Sequence, residues 1–569
     1  MSFKSRLILV VLGLLPLAFL GVFFFYPLGS VFVYSLSQKT NQTFSPLVQV
    51  LGSSATWRVV RFTFWQAGLS TLLTLGLGLP GAFLLARYQF PGKGLLQALT
   101  AVPFVMPTLV VAAAFNALLG PNGWINQNLM ILFRLDSPPI HFVNSLPAIL
   151  AAHVFYNTTI ALRTVGDFWS HLDPGLEKAA RVLGASRWQS FTRVTLPLLV
   201  PAIITAALLI FIFDFTSFGV ILVLGGPRFA TLETEIYTQA VNLLNLPQAA
   251  ALSLMQMIFT LAFTLVYQQY ARRISRPLDL QPRQITQHRL ASWRSRLGAA
   301  LIITLLVALL ITPLAALALR SVTPIADRGQ TTSRPGFRFN LDFYRELNQN
   351  RRQSFFYAPP TTAMLISLSY AAITVVLSIA LGLPAAYVLA RSRGSLASKA
   401  LDVVLMLPLG TSSVTLGLGF ILALGSPPLN LRTSPLLVPL AHTLVALPFV
   451  VRSLVPALLS IKPLLHQAAS VLGASPFQVA WHVDLPLVSR ALVVAGTFAF
   501  TISLGEFGAT ALLARPEYPT IPIAIYRFLG QPGALNYGQA LAMSTLLMLV
   551  CASGMLLIER LRLPFMEEF

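Results

Sequence analysis

Apolar runs of about 20 residues alternate with short polar connections along this 569-residue chain. As a helix, such a run crosses roughly 30 Å of hydrocarbon, where any other backbone would strand its polar groups. The pattern predicts six helices near residues 7–33, 62–86, 97–119, 142–165, 195–224 and 249–269, and six more near 298–320, 362–390, 399–424, 436–459, 486–514 and 538–558. The expected fold is an all-α membrane protein of about 12 transmembrane helices. The run from Leu7 to Phe25 follows Lys4 and Arg6, as a secretory signal would. It is too long for a signal and lacks a small-residue cleavage site, so it reads as a retained first helix.

The two sets of six are copies. At a fixed offset of 289 residues His153 pairs with His442, Arg163 with Arg452, Gly184 with Gly473, Pro197 with Pro486, Phe218-Gly219 with Phe507-Gly508, and Tyr237 with Tyr526. Upstream, LGLPGAFLLAR ending at Arg87 matches LGLPAAYVLAR ending at Arg391, eight of eleven identical, at an offset of 304; the difference falls in the loop after Gly120. A duplication of this length sets the architecture: a first repeat over 1–275, a linker over 276–297 and a second repeat over 298–569. Because six is even, the repeats run parallel, and equivalent loops emerge on one face.

Composition agrees with a membrane chain: 56% hydrophobic and only 10% charged residues, with a mean hydropathy of +0.74, against about 25% charged residues in soluble domains. The single cysteine, Cys551, excludes an intrachain disulfide and a thiolate metal site. A net charge of +21 raises the question of nucleic acid, but the basic residues cluster beside apolar runs, as positive charge held at a cytoplasmic surface does. Arg272, Arg273, Arg276, Arg283, Arg289, Arg294 and Arg296 place the linker in the cytoplasm, and Arg163, Lys178, Arg181, Arg187 and Arg193 place the loop after the fourth helix there too. The segment 321–360 must then be external, although it carries Arg328, Arg334, Arg338, Arg345, Arg351 and Arg352.

The most specific motif is a polar loop written twice, LDPGLEKAARVLGASRWQSFTRVTLPL over 172–198 and IKPLLHQAASVLGASPFQVAWHVDLPL over 461–487. Asp173-Pro174 is a helix-start pattern. A short helix should follow, broken at Gly184, with Leu196-Pro197 leading into the next span. Pro463, Gly473 and Leu485-Pro486 repeat that grammar. Ala179-Ala180 and Ala468-Ala469 would let another protein approach the backbone closely.

In these residues the chain resembles the membrane subunits of bacterial binding-protein-dependent ABC importers, whose signature is Glu-Ala-Ala, three residues, Gly, nine residues, an aliphatic residue, any residue, then Leu-Pro. Here it reads Lys178-Ala179-Ala180, Gly184, Val194, Leu196-Pro197, and again Gln467-Ala468-Ala469, Gly473, Val483, Leu485-Pro486. Both copies lack the family's glutamate, although Glu177 stands one position earlier; the two docking sites should therefore be unequal. The resemblance implies a type I ABC importer permease fold in the bacterial inner (plasma) membrane, with each loop a coupling helix seated in a groove of a cytoplasmic ATPase. The fused halves, with RFTFWQA from Arg61, AHVFYN from Ala152, SFGVILVLGGP from Ser217 and SLGEFG from Ser503, look most like permeases of the thiamine and ferric-iron branch.

Acidic side chains inside spans are costly and usually face a cavity. Asp214 and Glu506 both precede the repeated Phe-Gly, yet they are out of register: Asp214 aligns with Ser503, and Glu506 with Ser217. A pair of carboxylates near a twofold axis would favour a cationic cargo; alternatively each is satisfied by neighbouring hydroxyls. His153, His442 and Asn157 are further candidates for the path or for structural hydrogen bonds, and no metal-ligand spacing is visible. Pro103 with Pro107, and Pro408 with Gly410, Gly417 and Gly419, mark kinked helices that serve either as hinges or as packing features.

The sequence holds no GxxxxGK[ST] phosphate loop and no nucleophile-base constellation. The chain is expected to be a non-catalytic transport subunit binding no cofactor, with ATP and Mg held by two copies of an ATPase partner. An extracytoplasmic binding protein should deliver a small, cationic solute, of which thiamine and ferric iron are the types in view. Membrane lipid is the other expected partner, and nucleic acid is not one. The alternative is a secondary transporter using Asp214 and Glu506 as proton or sodium sites.

Overall fold

The computed structural model describes residues 3–37, 45–274, 287–290, 292–325, 339–349, 359–392, 394–425, 427 and 429–561. Arg276, Arg283, Arg328, Arg334, Arg338, Arg351 and Arg352 lie outside these residues. In the first half the main helices are α1 (Phe3–Leu20), continuing through a π turn at Gly21–Phe25 into α2 (Tyr26–Leu36), then α3 (Ser54–Arg87), α4 (Lys93–Val105), α5 (Thr108–Leu119), α6 (Leu146–His171), α7 (Pro174–Val182), α8 (Leu196–Phe215) and α9 (Leu246–Ile274). The second half repeats the order with α10 (Trp293–Leu310), α11 (Thr312–Ser321), α12 (Pro360–Arg391), α13 (Leu396–Met406), α14 (Ser413–Leu424), α15 (Leu437–Leu459), α16 (Pro463–Val471), α17 (Leu485–Gly505), α18 (Gly508–Leu513) and α19 (Ala534–Leu561).

Helix occupies all twelve predicted intervals, with three differences of detail. Among the described residues ten stretches are long and apolar enough to cross a membrane, and α13 with α14, bent by 97°, makes an eleventh. The fourth interval, α6, falls short in hydropathy because His153, Asn157 and Arg163 lie in it, yet its 26 residues reach about 39 Å. The third interval is split at Met106-Pro107, where proline removes a helix donor. α4 stands alone there, and the apolar stretch runs from Thr108 to Phe133. The fifth and eleventh spans end early, at Phe215 and Gly505, each followed by a turn and a short second helix.

The long helices approach closely through small residues. A Cβ on Gly78 of α3 would lie 2.5 Å from the Ala161 Cβ of α6, and one on the equivalent Gly382 of α12 would lie 2.6 Å from Val450 Cγ1 of α15. In hydrocarbon, where the hydrophobic effect draws no helices together, such contacts carry the packing. The outer faces stay apolar: Leu72, Leu301 and Val376 are 69%, 70% and 66% exposed. A band of that kind fits lipid rather than water.

The halves exchange their first helices. Leu20 and Phe24 are buried in a core with Tyr370, Leu389, Phe420 and Leu444 of the second half. Leu306 of α10 is buried with Ala82, Leu85 and Leu162 of the first. A Cβ on Gly419 would meet Pro27 at 3.0 Å. Neither half closes its own core, so the two repeats form one body. A two-residue parallel ladder, β1 (Tyr88–Gln89) with β2 (His288–Arg289), ties the linker to the end of α3, on the face where the copied loops lie. Of segment 321–360, the described part packs inward: Gln539 Nε2 donates to the Glu346 carbonyl at 2.9 Å, and Phe343 and Leu347 are buried.

Candidate functional site

Where the halves meet, the early ends of α8 and α17 leave a cavity of about 360 Å³. The breaks that shorten these helices thus create the space. His153, Asn157, Asp214, Ser217 and Glu506 line it, whereas Ser503 and His442 stand behind Glu506, off its wall. Phe218 and Phe507, equivalent in the two copies, stack across the junction with ring centroids 5.4 Å apart and planes 19° apart. Each packs on its own tyrosine, Phe218 on Tyr237 and Phe507 on Tyr526.

Each half builds the same three-residue cluster with two positions interchanged. His153 Nε2 hydrogen-bonds with Ser217 Oγ at 2.8 Å, and its Nδ1 lies 3.0 Å from Ser70 Oγ and 3.4 Å from Asp214 Oδ1. In the second half His442 Nδ1 bonds Ser503 Oγ at 2.8 Å, while Nε2 bonds Thr510 Oγ1 at 2.8 Å and lies 3.4 Å from Glu506 Oε2. Both histidines therefore face one acid and one serine, but acid and serine have traded register. A single position in the alignment says nothing of this; only the fold shows that one histidine reaches both.

The two acids differ in what they hold. Glu506 caps α18: its Oε1 accepts from Ala509 N at 3.0 Å, and its Oε2 accepts from Thr510 N at 3.1 Å and Thr510 Oγ1 at 2.9 Å. A carboxylate so placed satisfies the orphan amides of a buried helix start. Asp214 Oδ1 accepts from Asn157 Nδ2 at 2.7 Å, whereas Oδ2 has no partner among the described residues. The expected pair of equivalent carboxylates is thus one structural cap and one half-free acid. Among the described residues no group of three His, Cys, Asp or Glu could hold a metal ion.

The copied loops fold alike at the far ends of α6 and α15. Asp173 caps α7, accepting from Gly175 N at 2.7 Å, but its counterpart Lys462 gives α16 no side-chain cap. Gly184 and Gly473, at φ +90° and +80°, reverse the chain after each short helix. That conformation is costly for any residue with a Cβ. The turns push paired aliphatic side chains into the open: Val182 and Leu183 are 86% and 88% exposed, and Val471 and Leu472 are 86% and 87% exposed. Lys178, Ala179, Gln467 and Ala468 are exposed beside them, Ala180 and Ala469 are half-buried, and Pro174 is buried where Pro463 is exposed. Pro197 and Pro486 sit in the first turns of α8 and α17, where a missing N–H costs nothing.

Glu177 turns inward. Its Oε1 accepts from Arg87 Nη2 at 3.3 Å and from Thr195 Oγ1 at 2.6 Å, fastening the loop to the end of α3. In the second copy Arg391 Nη2 donates to Asp484 Oδ2 at 3.1 Å and His466 Nε2 lies 2.5 Å from Asp484 Oδ1. His466 stands at the position of Glu177, and Asp484 at that of Thr195. The acid has again crossed to the facing position, so the latch persists. Reading the sequence for motifs passes over Arg87, Arg391, Thr195, Asp484 and His466 as a unit; the shared LAR ending and the 289-residue offset were the available signals. Also passed over was Glu233, fully buried, whose Oε1 accepts from Gln256 Nε2 at 2.5 Å.

These features together define a membrane permease assembled from two repeats around a shared cavity, with matched loops on one face. The chain belongs to the family of the binding-protein-dependent transport system inner membrane component, whose model matches residues 78–276 and again 378–562. The thiamine transport system permease protein ThiP of Escherichia coli (strain K12) is 29% identical over 528 residues, covering 90% of each chain. The ferric transport system permease protein FbpB of Actinobacillus pleuropneumoniae is 24% identical over 549 residues, covering 95% of this chain and 76% of that relative. A chain in the crystal structure of a bacterial alginate ABC transporter, in complex with an alginate pentasaccharide-bound periplasmic protein, is 21% identical with a TM-score of 0.40, covering 48% of this chain and 96% of that one. The chain is a fused, two-repeat ABC importer permease of the inner membrane.

Proposed function

We propose that this permease translocates a small cationic solute of the thiamine or ferric-iron type, delivered by an extracytoplasmic binding protein. Two copies of a cytoplasmic ATPase sit on loops 172–198 and 461–487 and supply the force; ATP and Mg are bound by that partner, and none by this chain. The observation that carries the reading is the pair of matched loops, each presenting two nearly bare aliphatic side chains beside a left-handed glycine. Exposed apolar side chains at the same place in both repeats call for a partner surface. Internal latches to Arg87 and Arg391 join each loop to a long span, so movement of the loop is transmitted into the membrane. The relatives' names supply the solute types.

The competing reading, a gradient-driven carrier using Asp214 and Glu506, is weakened because Glu506 is spent on a helix cap. Reconstitution in liposomes separates the two. Uptake that requires the ATPase and ATP supports the importer; uptake driven by a proton or sodium gradient without the ATPase refutes it.

A further inference from the structure

We propose that the cavity between the halves is a binding chamber for an organic cation bearing a flat aromatic ring, with Asp214 Oδ2 as its charged contact. This rests on the importer reading above and narrows its solute. Six aromatic rings line the chamber, Phe104, Phe213 and Phe218 from one half and Phe449, Phe498 and Phe507 from the other. Its volume of about 360 Å³ lies within the roughly 300–1,000 Å³ of small-molecule sites.

Two polar atoms on this wall are left over. Asp214 is 1% exposed and its Oδ2 has no partner among the described residues; the Tyr156 hydroxyl, on the same wall, has none either. Buried polar atoms are almost always paired, because desolvation without a partner is costly. Two orphans facing one cavity are explained when a solute supplies the missing groups. A lone carboxylate oxygen asks for positive charge, and aromatic faces attract a diffuse organic cation and stack on a flat ring. The Tyr156 hydroxyl is placed to donate to a ring nitrogen or accept from an amine.

A bare metal ion is poorly served by the same wall. Hard cations take several oxygen ligands, and here Glu506 has both oxygens engaged by Ala509 and Thr510 while Asp214 Oδ1 is held by Asn157. The chamber thus separates the two solute types that the relatives leave together.

The test uses the full-length permease in lipid nanodiscs, with radiolabelled thiamine as the flat-ring cation and ferric citrate as the metal probe. Wild type is expected to bind thiamine and not ferric ion. Asp214→Asn, which keeps size and the Asn157 contact, is expected to weaken thiamine binding at least tenfold, with Asp214→Glu recovering part of it. Equal thiamine affinity in wild type and Asp214→Asn, or ferric ion binding in preference to thiamine, overturns the proposal. If Asp214→Asn does not fold, Tyr156→Phe reads the same chamber: a threefold or greater loss supports the assignment, and unchanged affinity overturns it. ATP-driven uptake in proteoliposomes keeps the two readings apart. No uptake of either probe with ATPase and binding protein present defeats the importer reading, whereas ATP-driven ferric uptake that ignores Asp214→Asn defeats only the chamber.

Discussion

Truncating the bare leucines of the copied loops is the sharpest perturbation of the docking argument. Leu183 and Leu472 are 88% and 87% exposed, so replacing them with alanine removes nothing from the fold, and surface changes of this kind stay within about 0.5 kcal/mol. If each leucine enters a groove on the ATPase, Leu→Ala forfeits three carbons at about 0.8 kcal/mol each, or about 2 kcal/mol per loop. At about 1.4 kcal/mol per decade this weakens one contact roughly 30-fold. The measurement is the dissociation constant between nanodisc-embedded permease and its ATPase, for each single variant and the double. Thermal unfolding serves as the control for an intact fold. Single variants are expected to weaken binding and the double variant to abolish coupled ATP hydrolysis. A double variant that keeps affinity within twofold of wild type, with normal insertion, would refute the docking role.

Three further outcomes follow from other contacts. Asp484→Ala leaves Arg391 and His466 without their shared partner; breaking a buried pair costs up to 5 kcal/mol, and the partial exposure of Arg391 reduces the expected loss to about 2 kcal/mol. It should appear as a lower melting temperature and as ATP hydrolysis no longer matched by uptake, and unchanged coupling would count against the latch. Gly382→Val drives a side chain into Val450 of α15, and recovery of folded protein from membranes should fall sharply, whereas Gly298→Val, with open space around it, should be tolerated; equal yields would refute the close-packing account. Lys462→Asp supplies α16 with the cap that Asp173 gives α7, and hydrogen exchange in that helix should slow by the equivalent of about 1 kcal/mol; faster exchange would contradict it.

The recurrent interchange of residues between the copies has a simple physical basis. A contact needs one acid among the groups that touch, and its sign and reach are preserved whichever facing position supplies it. Glu177 with Thr195 becomes His466 with Asp484, and Asp214 with Ser217 becomes Ser503 with Glu506. After the interchange the partners are no longer the same. Asp484 holds a histidine as well as an arginine, and Glu506 gains a helix start to cap while Asp214 keeps a free oxygen. Divergence of the copies has therefore concentrated the uncompensated charge of the chamber on one side.

The chain by itself determined the features written in local pattern and constant offset. Apolar runs about 20 residues long specify membrane helices because hydrocarbon leaves the backbone no other way to satisfy its polar groups. The 289-residue repeat and the Ala-Ala, Gly, Leu-Pro spacing exposed the duplication, the twin loops and the family. Tertiary structure alone decided what depends on distant partners: the exchange of first helices, the chamber where α8 and α17 stop short, the inward turn of Glu177 to Arg87, and the different employment of Asp214 and Glu506. An acidic residue reads the same in a sequence whether it caps a helix or waits for a ligand, because the distinction lies in which donors fall within about 3 Å of its oxygens, and those donors come from residues that only folding brings near.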